Sequence, residues 1–184
     1  MLADYGLLLL GIVCLLISGR LIIQYQKQKN SFTLNLMIFF FLTGLGYLVW
    51  YLVRYMEVEE DYNSLVVILS VLAPLFLLLF ILRFLGVPRN VQAGLGTLFT
   101  VVTVIYLILP ELTFLYIVVV TIVAILNIIL FLKNYRRRND VKSLGFAIGL
   151  LMTLIGSFPM ISMNLFFSLA AICWAITFFA PLEK

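Results

Sequence analysis

The sequence predicts an all-α integral membrane protein: a polytopic bundle of seven transmembrane helices, with the N-terminus outside and the C-terminus cytoplasmic. Three observations carry that prediction. Hydrophobic residues make up 65% of the chain and charged ones 11%, and the mean hydropathy is +1.21, far from a water-soluble domain, which must spread charge over its surface. Apolar runs recur at about 20 residues, the length a helix needs to cross a hydrocarbon core of roughly 30 Å. These runs lack the period-two alternation of a barrel strand, so helices are what satisfy the backbone polar groups where no water can.

Taken in order, the spans fall at 3–24, 32–53, 65–85, 91–109 and 112–132, followed by a long apolar block over 143–181. As one helix that block would be roughly 58 Å long, nearly twice the core thickness, so it must fold back on itself. The break belongs at Gly156-Ser157-Phe158-Pro159, because proline disfavours helix at its predecessor and suits the first turn of the helix it begins. Two short spans, 143–158 and 160–181, result. The stretch "LLLLGIVCLLISG" has the length of a signal-peptide core, but Asp4 precedes it and Arg20, Lys27 and Lys29 follow it. That polarity reads as a retained first span. No hydrophilic domain interrupts 1–184, which reads as a single transmembrane domain.

Positive charge near span ends concentrates on the cytoplasmic side. With the N-terminus outside, every basic residue except Arg54 falls inside, including the cluster Lys133, Arg136, Arg137, Arg138 and Lys142. Six acidic residues, Asp4, Glu57, Glu59, Glu60, Asp61 and Glu111, fall outside. Arg89 and Lys133 share a side only if two spans lie between them, which places a hairpin at Pro110-Glu111. The net charge of +4 then follows from basic inner loops that can meet anionic lipid headgroups, not from a folded nucleic-acid surface. The expected partners are the bilayer and, through helix–helix contacts, a membrane partner or a second copy; no nucleic acid is expected.

Absences narrow the chemistry. The chain has no histidine, hence no imidazole base, haem ligand or zinc ligand. No carboxylate lies within a span, which argues against a proton relay, a calcium cage or magnesium-dependent transfer onto a lipid. No G-x-S-x-G context is present. A non-enzyme with no metal and no cofactor is expected. Cys14 and Cys173 lie inside the first and last spans, where thiols away from cations behave as small hydrophobes.

What remains is polar or aromatic. Asn35, Asn127 and Asn164 carry amides that hydrocarbon cannot satisfy, so each should face another helix or a wet cavity. Gly145 and Gly149 form a G-x-x-x-G pair, and Gly96, Thr97, Thr100 and Thr103 a small-residue stripe; both suit close helix packing. Pro74 removes a backbone donor within the third span, and a kink there could serve as a hinge. At the outer end of the second span, "YLVWYLVRYMEVEED", Tyr47, Trp50, Tyr51, Arg54 and Tyr55 recur at three- and four-residue steps. Arg54 could stack on Trp50 or pair with Glu57. Tyr106, Glu111 and Tyr116 lie at the same depth on other spans. Together these residues read either as a mouth receiving a ligand or partner from outside, or as an interfacial aromatic belt.

An ungapped shift of 110 positions sets Tyr25 against Tyr135, Lys27 against Arg137, Leu34 against Leu144, Ile38 against Ile148, Thr43 against Thr153 and Gly46 against Gly156. This would be a parallel repeat of three helices joined by the fourth. Apolar helices align easily by chance, and the third and seventh spans do not continue the match. The leading functional expectation is a non-catalytic module that binds or senses a ligand or partner within the membrane, as the receptor portion of a signalling system or an accessory subunit of a complex. The alternative is a passive transporter or channel for a small uncharged solute, similar in plan to sugar facilitators of the SWEET kind. The proline-glutamine loop of that group is absent here, so no residue carries over. A plasma membrane is the default location.

Overall fold

The computed structural model describes residues 5–56, 61–109, 111, 113–158 and 163–180. Seven α-helices account for nearly all of them: α1 (Tyr5–Gln28), α2 (Ser31–Met56), α3 (Asp61–Phe84), α4 (Arg89–Ile108), α5 (Thr113–Arg138), α6 (Val141–Gly156) and α7 (Met163–Phe179). The first five are long and apolar enough to cross a membrane, and α6 and α7 are shorter apolar helices. At 16 and 17 residues these two span roughly 24 and 26 Å. The helix α3 runs unbroken through Pro74.

Packing arranges six of the helices in a ring. α1 contacts α2 and α7, α2 contacts α3, α3 contacts α5, α5 contacts α6, and α6 contacts α7, while α4 lies outside against α3 and α5. Exchanging α1–α3 for α5–α7 leaves the contacts of the six-helix ring unchanged, though not those of α4. The halves therefore meet at two seams, α1 with α7 and α3 with α5. On α4, Phe99 and Val102 are buried and most of the remaining surface is exposed.

The correspondence extends to backbone detail. Gln28 and Arg138 end α1 and α5, and Ser31 and Val141 begin α2 and α6, each pair 110 positions apart. Between them, among the described residues, Lys29 and Asn139 are the two non-glycine residues with positive φ, at 47° and 50°. The Lys29 N–H donates to the Tyr25 carbonyl at 2.7 Å, and the Asn139 N–H donates to the Tyr135 carbonyl at 2.7 Å. Next, the Asn30 Oδ1 accepts from the Phe32 N–H at 2.9 Å, and the Asp140 Oδ1 from the Lys142 N–H at 3.1 Å. Both are side-chain caps that satisfy one of the orphan donors of a helix start. Buried positions match as well: Ile17 with Asn127, Leu21 with Phe131, Thr33 with Ser143, Leu36 with Phe146 and Phe40 with Leu150. The match ends at Gly156, the counterpart of Gly46, because α6 stops there while α2 continues to Met56. The extra turns of α2 carry the tyrosines, Trp50 and Arg54.

A left-handed residue just past a helix favours glycine, tolerates asparagine and penalises other side chains by about 1–2 kcal/mol. Replacing Lys29 with Gly should therefore stabilise the protein by about 1 kcal/mol. Asn139→Gly, at the matching position, should gain well under half of that. Thermal unfolding of the two variants in detergent measures the difference, and no gain at Lys29 would contradict a penalised left-handed residue there.

Candidate functional site

A cavity of about 360 Å³ lies among α2, α3, α5 and α6. From α2, Phe39, Thr43, Gly46, Tyr47 and Trp50 line it, steps of three and four that put them on one helix face. Ala73 and Pro74 come from α3, Ala124 and Asn127 from α5, Thr153 and Ser157 from α6, and Trp174 from α7. Most of the α2, α3, α5 and α6 lining positions belong to the half of each helix remote from the basic hairpins, while Phe39, Ala73, Pro74 and Asn127 lie at or just past mid-helix, so the cavity extends from the middle of the ring toward the end that carries Arg54.

Aromatic rings close the other half. The Phe40 ring meets Trp174 edge-on at 5.2 Å and Phe146 at 5.6 Å, and Phe131 packs on Phe146 at 4.3 Å. Such rings favour offset or edge-to-face contact. The Trp174 Nε1–H donates to the Phe146 carbonyl at 3.3 Å, so the indole at the cavity floor is satisfied from below. α6 and α7 come close enough for this because Gly149 lies directly against the Trp174 indole, and Gly145 against Thr177. The G-x-x-x-G pair is thus the packing face of α6 on α7.

Among the described residues the cavity wall carries no carboxylate, amine, guanidinium or thiol. Its polar groups are hydroxyls, two indole N–H groups and one amide, and they differ in how they are satisfied. Thr153 donates to the Leu150 carbonyl at 2.8 Å and Ser157 to the Thr153 carbonyl at 2.8 Å. Asn127, with 1% of its surface exposed, donates through Nδ2 to the Pro74 carbonyl at 3.1 Å. Among the described residues two buried side-chain oxygens have no hydrogen-bond partner, Thr43 Oγ1 and Asn127 Oδ1. Thr43 and Thr153 occupy matching positions of the two halves, yet only Thr153 bonds its own helix.

The residues singled out from sequence divide. Tyr47 and Trp50 turn into the cavity, stacked at 6.4 Å, and both contact Phe167 of α7, at 5.4 and 5.9 Å. Tyr51 stacks instead on Tyr55 at 5.6 Å, and Tyr55 is exposed. Arg54 reaches α7, with an amino nitrogen 2.9 Å from the Met163 Sδ; Glu57, its expected carboxylate, lies outside the described residues. Tyr106 sits on α4, outside the ring, and Glu111 is exposed. The Tyr116 side chain lies outside the described residues. Asn164 Oδ1 accepts from the Gly6 N–H at 3.3 Å, crossing the α1–α7 seam as Asn127 crosses the α3–α5 seam. Asn35 donates to the Ser31 carbonyl of its own helix at 2.6 Å. Cys14 and Cys173 are both free, and the Cys173 thiol donates to the Gly145 carbonyl at 3.3 Å. Among the described residues no group of three His, Cys, Asp or Glu side chains could hold a metal ion.

Sequence reasoning noted Thr43 and Thr153 only as a matched pair and did not place Ala124, Ser157 or Trp174 at a site. A second space, about 630 Å³, is an open groove between α3 and α4 lined by Arg83, Arg89 and Gly96 among others. No family model, curated protein or solved structure matches the chain.

The close approach of α6 to Trp174 gives a direct test of the packing. A methyl group at position 149 would collide with the indole, so Gly149→Ala should destabilise the protein by about 1–3 kcal/mol, the range for overpacking. It should also shift tryptophan emission, because the indole must leave the Phe146 carbonyl. Thermal unfolding and emission spectra recorded together check both effects.

Proposed function

We propose that this chain is an integral membrane bundle of seven spans, N-terminus outside and C-terminus cytoplasmic, that binds a small uncharged molecule between its helices and performs no chemistry on it. The observation that carries this reading is the cavity of about 360 Å³, walled by apolar and uncharged polar side chains and floored by packed aromatic rings. Ligand sites in helical bundles lie between helices and have this character, a mostly apolar wall with a few polar groups that orient the ligand. Among the described residues the wall carries no carboxylate, imidazole, amine or thiol that could activate its hydroxyls, which supports binding without catalysis.

The membrane reading rests on the five long apolar helices and on the charge distribution. The ends of α1, α3 and α5 and the starts of α4 and α6 carry Lys27, Arg83, Arg136 to Arg138, Arg89 and Lys142, as expected for a cytoplasmic face. A plasma membrane is the location this fits most simply. Binding at the outer half of the bundle suits the receptor portion of a signalling system, or an accessory subunit whose ligand is presented from outside or from the lipid.

The second reading, passive transport of an uncharged solute, is favoured by the matched hairpins of the two halves, since parallel repeats rocking about a central site are one route to alternating access. The Phe40, Phe146 and Trp174 rings then have to part for solute to pass. Flux in proteoliposomes separates the two: saturable binding without flux supports the sensor, and saturable flux supports the transporter.

Ala124→Phe should fill the cavity with little loss of thermal stability and remove ligand binding. A small molecule that co-purifies with the wild type, detected by native mass spectrometry, and that persists in the variant would place binding elsewhere. A reporter fused after Lys184 should lie on the cytoplasmic side; an external reporter would remove one span and the hairpin before α7.

A further inference from the structure

We infer that the cavity recognises its ligand through the paired oxygens Thr43 Oγ1 and Asn127 Oδ1, and that the ligand is a mainly apolar, uncharged molecule bearing a hydrogen-bond donor such as a hydroxyl or N–H. The inference rests on the reading of the cavity as a binding site and adds the class of molecule that fits it.

The argument starts from Asn127. Its amide lies in the wall with 1% of the residue exposed, and its two polar ends are treated differently. Nδ2 is held by the Pro74 carbonyl at 3.1 Å, which fixes the plane and the orientation of the amide. Oδ1 is left without a donor. A buried acceptor in that state is an exception among native side chains, and the exception here lies on a cavity that can supply the missing partner. An amide oxygen only accepts, so the ligand atom it selects must be a donor.

Thr43 supports the same conclusion from the opposite wall. A threonine in a helix ordinarily bonds the carbonyl one turn back, and Thr153, Thr100, Thr103 and Thr177 do so here. Thr43 does not; its Oγ1 is buried and unpartnered on the same cavity. A hydroxyl can give or take a proton, so Thr43 accommodates a second polar atom of either kind. No charged group among the described residues lies on the wall, and a charged ligand would lose its hydration with nothing there to replace it. Most of the rest of the lining, including Phe39, Ala73 and Leu150, is apolar, and the Thr153 and Ser157 hydroxyls already donate to backbone carbonyls. Together these features select a neutral amphiphile with its donor toward Asn127.

The chain's two tryptophans, Trp50 and Trp174, both line the cavity, so its occupancy can be read by fluorescence. The probes are 4-bromobenzyl alcohol, whose bromine quenches indole emission, and its methyl ether, which has the same ring and oxygen but no donor. Each is titrated into the purified full chain in detergent, and the Ala124→Phe variant defines the non-saturable background. The alcohol should quench saturably and bind about tenfold more tightly than the ether, the factor that corresponds to about 1.4 kcal/mol. Asn127→Leu should bring that ratio close to one, and Thr43→Val should lower it by about half or less.

The ratio of the two affinities does not depend on the folded fraction, so it stays informative even where Asn127→Leu weakens the link to Pro74. The isosteric Thr43→Val variant gives an independent check. Saturable binding of both probes with a ratio near one, or a ratio unchanged in both variants, overturns recognition through these oxygens while leaving the cavity as a binding site. If neither probe binds saturably to the wild type, the binding-site reading fails and this inference fails with it.

Discussion

One asparagine at each seam holds the ring of helices together as a closed object. Within each half, consecutive helices are joined by short hairpins and pack along most of their length. The halves meet only where α1 faces α7 and α3 faces α5, and side-chain hydrogen bonds cross there: Gly6 N–H to Asn164 Oδ1, and Asn127 Nδ2 to the Pro74 carbonyl. Apolar packing alone discriminates poorly between helix neighbours in a lipid environment, because the lipid-facing and protein-facing surfaces are equally oily. An amide that must find a partner is selective, since the alternative is an unsatisfied group costing about 1–3 kcal/mol. At the α1–α7 seam the approach is close as well, with no room for a Cβ on Gly6 beside the Asn164 backbone. Ring closure, and hence the cavity it encloses, depends on these two contacts.

The two halves share a plan but not a function. Their hairpins repeat in dihedral angle, cap and hydrogen-bond length, and this end of the molecule carries the basic residues and the aromatic floor. Toward the other end the likeness fails: α6 stops at Gly156 where α2 continues, Thr153 is satisfied where Thr43 is not, and the matching position of Asn127 is Ile17. The cavity lies where the halves differ. Its walls come from α2, α3, α5 and α6, with α1 absent from the lining, so the proposed site sits beside the packed, repeated end and not within it.

Much of the fold is legible in the sequence and little of the cavity is. Apolar runs locate all seven helices, and Pro159 marks the break in the final block. Helix ends extend a turn or so beyond the apolar runs; α1 reaches Gln28 and α5 reaches Arg138, because lysine, glutamine and arginine are good helix formers and the chain stops only where Lys29 or Asn139 turns left-handed. Ring order was not legible, since it depends on which faces match across space. The outer aromatic face was read as one surface, whereas Tyr47 and Trp50 turn inward and Tyr51 stacks on Tyr55. Positions three and four residues on along a helix point about 100° apart, and sequence does not say which of the two faces a neighbour; contact with Phe167 on α7 decides it. Sequence marked Asn127 as a polar residue in need of a partner, but that one end of its amide would be satisfied and the other not is a matter of rotamer and ring closure.

That division of the Asn127 amide places the binding group and the helix-joining group in one side chain. A ligand donor drawn to Oδ1 acts on the same planar amide that holds the Pro74 carbonyl through Nδ2, and hydrogen bonds in series polarise and strengthen one another in a low-dielectric interior. Pro74 also lacks the N–H that would tie it to the preceding turn of α3, so α3 has one internal hydrogen bond fewer at the level where α5 grips it. The aromatic floor is dense on all sides and the hairpins are capped. The α3–α5 seam, by contrast, borders a void, contains the proline, and has α4 alone packed behind it. In the proposed reading, a ligand in the cavity meets this seam directly, because Asn127 and Pro74 both line the cavity and are joined by a hydrogen bond across it.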